Sequence, residues 1–235
     1  MVCISIDGDL YENNVYASKK AIEFTFRFLD FLGMRGNVTW FINDYYKWTT
    51  TYRQELLEIV NRDDEIGLHV HKINEDIREG KVSSVKELTK VFNKYKRRIE
   101  NVIGFKILSF RSGAHAHTPQ MFTALENIDI LYDSSIIPRK KIFVDMDLYP
   151  WSKSNTYVDN SHITKKEFNI GQIKEITNSK WKYFHPTDLV REDGTYKIKN
   201  IIKYGLLILL STFVGVYKIS EPKSFNDRLW DYKIK

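Results

Sequence analysis

Short apolar runs bounded by polar residues or glycine alternate along this chain with longer stretches whose apolar positions recur at helical spacing. The runs rich in β-branched and aromatic residues predict strands at Val2–Ile6, Val38–Ile42, Glu65–His71, Phe105–Phe110, Ile130–Tyr132 and Trp181–Phe184. Between the first two, Ala17–Leu32 carries a helical face that Gly33 stops. Thr51–Asn61 forms a second helical stretch after the second strand. Ser84 with Glu87 three residues on makes a capping box ahead of Val85, Leu88, Phe92, Tyr95 and Ile99, and Gly104 closes that helix. Thr118-Pro119 supplies a cap and a first-turn proline for Gln120–Glu126. Strand alternating with helix predicts a mainly parallel sheet, open or closed into a barrel. No internal repeat, low-complexity tract or Pro/Gly/Ser linker interrupts the pattern, so residues 1–235 read as one domain.

Composition changes this picture little. Hydrophobic residues at 43% and charged residues at 28% exclude a disordered or fibrous chain. The net charge of +6 gathers at Lys94–Arg98, Arg139–Lys141 and Lys165–Lys166, with no helix-turn-helix, zinc-finger or RNA-binding signature beside it. That excludes nucleic acid as the expected partner and leaves solvated basic faces, an anionic glycan, a nucleotide sugar or a membrane surface. Cys3 is the only cysteine and sits in an apolar run, where it reads as a buried, inert thiol, so no disulfide can form within the chain. The sequence opens on its first strand with no basic segment ahead of it, and the expectation is a cytoplasmic protein. Tyr204–Tyr217 is strongly apolar, but Lys203 and Lys218 limit it to 14 residues, short of the roughly 20 that span a bilayer. It predicts a buried helix running into a last strand at Val214–Ile219, with no transmembrane span; association with a membrane surface stays open.

Candidate chemistry stands at the strand ends. Asp7 and Asp9 follow the first strand, Asn43 and Asp44 the second; His69 and His71 end the third, Arg111 the fourth and His185 the Trp181–Phe184 strand. In parallel barrels the loops at the C-terminal strand ends converge on one face, so five such ends can share a pocket. Asp7-Gly8-Asp9 is equally the pattern of a plain turn whose acids cap nearby amides. His69 and His71 lie two apart and, on a regular strand, would face the same way, able to hold Zn²⁺ or a similar ion with one carboxylate. A histidine there is as readily a hydrogen-bonded core residue. Arg111, before Ser112-Gly113, suits a carboxylate partner or a surface ion pair.

These fragments resemble, in order and over nearly the whole chain, the polysaccharide deacetylase family (carbohydrate esterase family 4, the NodB-homology domain). Asp7-Gly8-Asp9 is similar to its first motif, Val38-Thr39-Trp40-Phe41 to its second-strand signature, and Glu65-Ile66-Gly67-Leu68-His69 to the stretch delivering its first metal histidine. Phe110-Arg111-Ser112-Gly113, the Thr118-Pro119 helix and Tyr132-Asp133-Ser134-Ser135 resemble the third motif and its sequel. Phe184-His185-Pro186-Thr187-Asp188 resembles the last motif, and Val216–Glu221 the closing strand.

The resemblance implies a distorted, TIM-barrel-like (β/α) barrel that removes an N-acetyl group from an amino sugar or glycan precursor and releases acetate. In that reading Asp7 is the general base, held by Arg111, and His185 the general acid; Asp9, His69 and His71 hold one divalent ion, with Zn, Co or Ni the expected metals. Two departures stand out. The family places its second metal histidine four residues after the first, where this chain has Ile73; His71 is the expected substitute, ahead of Asn74 or Asp76. The acidic, tryptophan-bearing fourth motif has only Asp147-Leu148-Tyr149-Pro150-Trp151 as a counterpart. His115 and His117 match no family role and are expected as solvent-exposed loop histidines. The alternatives are an allantoinase-like amidase that opens cyclic ureides, with or without metal, and a carbohydrate-binding relative that has lost turnover.

Overall fold

The computed structural model describes residues 2–43, 47–136, 141–143, 157–159, 167–170, 173–176, 182–212 and 216–217. They pack as two compact units, Met1–Gly67 with Ile99–Lys106 and Trp181–Lys235, and Leu68–Arg98 with Ile107–Lys180. The limits at Gly67 and Arg98 fall inside a strand and a helix, so no compositional shift marks them in the sequence.

In the first unit β1 (Val2–Asp7) is flanked by two parallel neighbours, β2 (Val38–Asn43) and β10 (Lys182–Phe184), and β11 (Val216–Tyr217) pairs with its beginning. Ile6 stands opposite Trp40 on one side and Phe184 on the other. All six residues of β2 are buried, as expected of a parallel strand covered on both faces. Helix α1 (Val15–Phe31) begins where the Asn14 side chain accepts from the Ala17 amide at 2.9 Å. It buries Ala17, Ala21, Ile22, Phe26 and Leu29 and ends at Gly33, whose φ of 68° is the left-handed turn that suits glycine. Short α2 (Lys47–Thr50) and α3 (Arg53–Asn61) follow β2. Beneath the strand starts, buried Arg62 donates to Asp64 and Asp30 at 2.9 Å each, and Asp64 also accepts from the Trp40 indole and the Gly36 amide. This buried pair ties helix ends to β2 on the side away from Asp7 and Asn43, the side of a parallel sheet that serves stability.

In the second unit the end of β3 (Glu65–Val70) pairs in parallel with β4 (Ser109–Ser112), placing His69 opposite Arg111. Parallel β5 (Tyr132–Asp133) and β9 (Ile173–Ile176) continue from β4, and β8 (Glu167–Ile170) closes on β9 as an antiparallel hairpin. β6 (Lys141–Phe143) and β7 (Tyr157–Asp159) form a separate ribbon. Helices α4 (Lys72–Arg78), α5 (Val85–Ile103) and α6 (Pro119–Glu126) connect the strands. The capping box is present, with the Ser84 amide donating to Glu87 at 2.8 Å and the Glu87 amide to the Ser84 hydroxyl at 3.3 Å. Thr118 caps α6 by accepting from the Met121 amide at 3.2 Å.

Three expectations are corrected. The fourth strand covers Ser109–Ser112 and not Phe105–Phe110, because pairing with β3 recruits Arg111 and Ser112 into the ladder. The third strand stops at Val70; His71 adopts helical φ and ψ at the N-cap of α4. The apolar segment beyond Tyr204 belongs to a helix, α7 (Ile198–Thr212), that is not buried all round: Ile198, Ile202, Leu206, Leu209 and Leu210 are exposed. It docks on the first unit through one side only, with the Tyr204 ring stacked on Phe184 at 4.8 Å, Gly205 against Phe28, and Ile208 buried. The Cys3 side chain, Asp44, the Asp147–Trp151 candidate, most of the Arg139–Lys141 cluster, Lys165–Lys166 and the outer residues of the proposed last strand lie outside the described residues.

Candidate functional site

Within the first unit, Asp7, Asp9 and His185 come together. Asp7 is the last residue of β1 and is buried; Gly8 then turns the chain. The Gly8 amide donates to the Phe41 carbonyl at 2.7 Å, and the Trp48 indole donates to the Gly8 carbonyl at 2.9 Å. A Cβ on Gly8 would lie 2.9 Å from the Phe41 oxygen, so only glycine allows this approach. The turn delivers Asp9, half-exposed, where its Oδ1 accepts from Asn43 Nδ2 at 3.0 Å and its Oδ2 faces His185 Nε2 at 3.5 Å.

His185 follows β10 and caps the 3-10 turn Pro186–Asp188. Asp188 accepts from the His185 backbone amide at 2.9 Å and lies 3.3 Å from its Nδ1. Burial of the imidazole opposes its charge, but the Asp188 hydrogen bond and the charges of Asp7, Asp9 and Asp188 outweigh it. The pKa rises from the ordinary 6.5 to about 9. The same hydrogen bond holds Asp188 below the usual carboxylate range against the opposing effect of its burial. Tyr204, whose hydroxyl lies 3.4 Å from Asp188, is pushed up to about 12 by burial and by that negative charge.

A raised folded-state pKa stabilises the fold fully below the unfolded value and ceases to do so once pH exceeds the folded one. In metal-free protein this contribution is complete below about pH 6.5 and disappears as pH passes 9. Thermal melts of chelator-treated wild type should therefore lose stability across that range, and Asp188→Asn should flatten the dependence. Parallel profiles for the two proteins would contradict the His185–Asp188 pairing.

Within the second unit, His69, His71 and Arg111 come together. His69 is buried in β3, and its Nδ1 faces the Arg111 carbonyl at 2.9 Å. A carbonyl only accepts, so the proton of the neutral ring sits on Nδ1. His71 lies on the first turn of α4 with its ring 4.8 Å from that of His69, at 79°. Arg111 is fully buried and donates to the Ser134 hydroxyl at 3.1 Å. The Ser135 hydroxyl accepts from the Ser112 amide at 2.8 Å and donates to Asp133 at 2.7 Å, fixing the end of β4 to β5.

Gly113 matters here for room. A Cβ there would lie 2.4 Å from His71 Nδ1, so the imidazole rests on bare backbone. Gly113→Ala should cost about 1–3 kcal/mol by overpacking and swing the ring away. Measured as a double-mutant cycle by denaturant unfolding, His71→Ala should recover most of that loss. Additive losses would show that the two residues do not meet.

Of the two loop histidines, His115 is buried and His117 half-buried, against the expectation that both are solvent-exposed. His115 is buried with Nδ1 3.1 Å from the Ser135 carbonyl, and His117 Nδ1 lies 3.1 Å from the His115 carbonyl. Ala114 and His115 both adopt left-handed φ, 51° and 56°, which turns the loop inward against its polar composition. The family's usual second histidine position is closed: Ile73 is a core residue. Asn74 and Asp76 are buried on α4, and Asp76 is paired with Lys72. His71 is the residue of this segment whose ring sits beside His69.

No family model and no curated protein matches the chain. Solved structures do. A putative polysaccharide deacetylase from Mycobacterium smegmatis aligns with a TM-score of 0.54 at 14% identity, covering 76% of this chain and 58% of that one. A CE4 family pseudoenzyme from Bacillus anthracis aligns at 0.51 and 13%, covering 94% and 64%. A mutant CE4 family pseudoenzyme with restored enzymatic activity aligns at 0.52 and 15%, covering 93% and 64%. The chain has the CE4 deacetylase fold. This is the distorted (β/α) barrel that the resemblance implied, and it agrees with the mainly parallel sheet expected from the strand–helix alternation. The chain spans about three-fifths of the length of these matched structures.

At the C-terminal strand ends the first unit carries Asp7, Asn43 and His185, and the second carries His69. Three contributors were not assigned from the sequence. Asp188 had a signal, since an acid three residues after a strand-end histidine is in reach of it. Asn43 had been noted at its strand end but given no role. The part played by Gly113 had none, because the His71 ring above it is 42 residues away in sequence.

Proposed function

We propose that this protein is a metal-dependent N-deacetylase acting on an N-acetylated amino sugar or glycan precursor, with acetate and a free amine as products. The observation that carries the reading is the His185 imidazole, held by Asp188 and facing Asp9, in the same unit as buried Asp7. An amide resists hydrolysis because its nitrogen leaves only when protonated; a base for water and a charged acid for nitrogen are what that reaction requires.

The donor set fits a divalent ion. Asp9 offers a carboxylate oxygen on a turn, while His69 offers Nε2 with its other nitrogen fixed on a carbonyl, the outer-sphere pattern of metal-binding histidines. His71 is assigned as the third ligand. One carboxylate and two imidazoles suit Zn²⁺, Co²⁺ or Ni²⁺. Such an ion, when bound, polarises the amide carbonyl and acidifies water. Asp7 takes the proton from the attacking water. As the C–N bond breaks, His185 gives its Nε2 proton to the departing nitrogen. Asp188 keeps the imidazole charged and turned until then.

A second reading, a carbohydrate-binding relative without turnover, is favoured by one matched structure being a pseudoenzyme. Asp7, Asp9 and the His185–Asp188 pair weigh against it. An allantoinase-like amidase is favoured by Ile73. The discriminating experiment offers the zinc- and cobalt-loaded protein a panel of N-acetylated monosaccharides, oligosaccharides and nucleotide sugars, with a cyclic ureide alongside. Acetate release that Asp7→Asn abolishes is expected. Ureide opening without acetate would transfer the assignment to the amidase, and binding of sugars without any product would make the protein a binder.

A further inference from the structure

Ile198, Ile202, Leu206 and Leu210 succeed one another at four-residue spacing along α7, and each is more than half exposed, at 60%, 58%, 57% and 65%. A soluble helix normally turns such a stripe inward. Here the inward side is a different one, formed by Tyr204, Gly205 and Ile208 against Phe184 and Phe28. The helix is therefore apolar on two sides, and among the described residues nothing covers the outer one.

The charges on α7 are of one sign. Ile198–Thr212 contains no acidic residue, and its only ionisable cations, Lys199 and Lys203, are exposed on the same side as the stripe. Lys197, just ahead, is tied to the Thr187 carbonyl at 2.8 Å. The acids nearest in sequence, Glu192 and Asp193, lie in the preceding turn, where Asp193 accepts from Thr195 and is turned onto its own loop. An exposed row of large aliphatic side chains flanked by lysines and free of acids is the composition of a helix that lies in the headgroup region of an acidic bilayer. Neither a neutral apolar protein surface nor a second copy of this basic chain would call for those lysines. No helix among the described residues is long and apolar enough to cross a membrane, so the arrangement fits lying on it.

We propose that the outer face of α7 docks this protein on an anionic membrane surface, with Ile198, Ile202, Leu206 and Leu210 entering the headgroup–acyl boundary and Lys199 and Lys203 meeting acidic lipid headgroups. The inference is independent of the reaction proposed above. It would bring the protein to substrates that are themselves carried on a lipid.

The test is flotation of the full chain with vesicles of phosphatidylcholine alone or with about one-third phosphatidylglycerol. Binding to the acidic vesicles is expected, weakened by salt. Lys199→Ala and Lys203→Ala should each lower the partition coefficient about fivefold, from roughly 1 kcal/mol per lysine at an acidic surface. Leu206→Glu should reduce it by more than tenfold, through lost apolar burial and new like-charge repulsion. These positions are exposed, so unchanged circular-dichroism melts will separate lost docking from lost folding. Failure to float with acidic vesicles, or flotation indifferent to all three substitutions, overturns the proposal. A dimer in light scattering that Leu206→Glu converts to monomer would also overturn it, assigning the face to self-association.

Discussion

His185→Ala is expected to slow hydrolysis of an N-acetyl amide by roughly 10²–10⁴-fold while leaving hydrolysis of an activated aryl acetate much less affected. The two substrates share a carbonyl carbon and a tetrahedral intermediate and differ in what departs. A nitrophenolate leaves without a proton, whereas an amine must receive one. In the structure His185 Nδ1 lies 3.3 Å from Asp188 and Nε2 is 3.5 Å from Asp9, and in metal-free protein the pKa is raised to about 9. With Nδ1 held on Asp188, Nε2 is the nitrogen proposed to give its proton. Asp188→Asn should show the same preference with a smaller loss, because it leaves the imidazole in place but weakens the hold on its charge. Rates for both substrates, measured as kcat/KM on metal-loaded proteins, decide the matter. Equal losses on amide and ester would make His185 a positioning residue.

Removing the metal should have the other large effect. Dialysis against a chelator is expected to abolish amide hydrolysis, and stoichiometric zinc or cobalt to restore it. His71→Ala should weaken zinc binding in calorimetry at least tenfold, since even the loss of outer-sphere partners costs 10–100-fold in typical sites. Ile73→His tests the alternative family position directly. Ile73 is a core side chain on α4, so an imidazole there trades apolar burial for a polar ring and should lower stability without raising affinity. Chelated wild type that keeps full activity and no bound metal would refute the ligand assignment and favour the metal-free amidase.

Much of this protein is legible along the chain because the signals are local. Helix limits rest on caps within three residues: Ser84 and Glu87 for α5, Thr118 for α6, with Gly33 and Gly104 as stops at φ 68° and 80°. Parallel strands buried on both faces read as unbroken apolar runs, and β2 shows this over its full length. The acids and histidines at the strand ends were visible for the same reason, since a polar residue closing such a run is conspicuous.

What the sequence could not decide depends on distant partners. β4 runs from Ser109 to Ser112 because β5 pairs with its start and β3 with its last residues, and no propensity within Phe105–Ser112 records that. His71 left the strand because α4 starts there, which replaced the side-by-side geometry of a regular ladder with two rings at 79°. His115 is buried through two left-handed residues and a carbonyl 20 positions away. The sequence by itself determined the elements, their alternation and the kinds of side chain at each strand end, because 2.0- and 3.6-residue periodicities and caps are properties of neighbouring residues. Only the tertiary structure decided that Asp9 meets His185 across 176 positions, that Gly113 makes room for His71, and that α7 turns aliphatic residues outward. Those follow from which strands lie side by side and which helix faces find a surface to cover them, and both are settled by packing the whole chain at once.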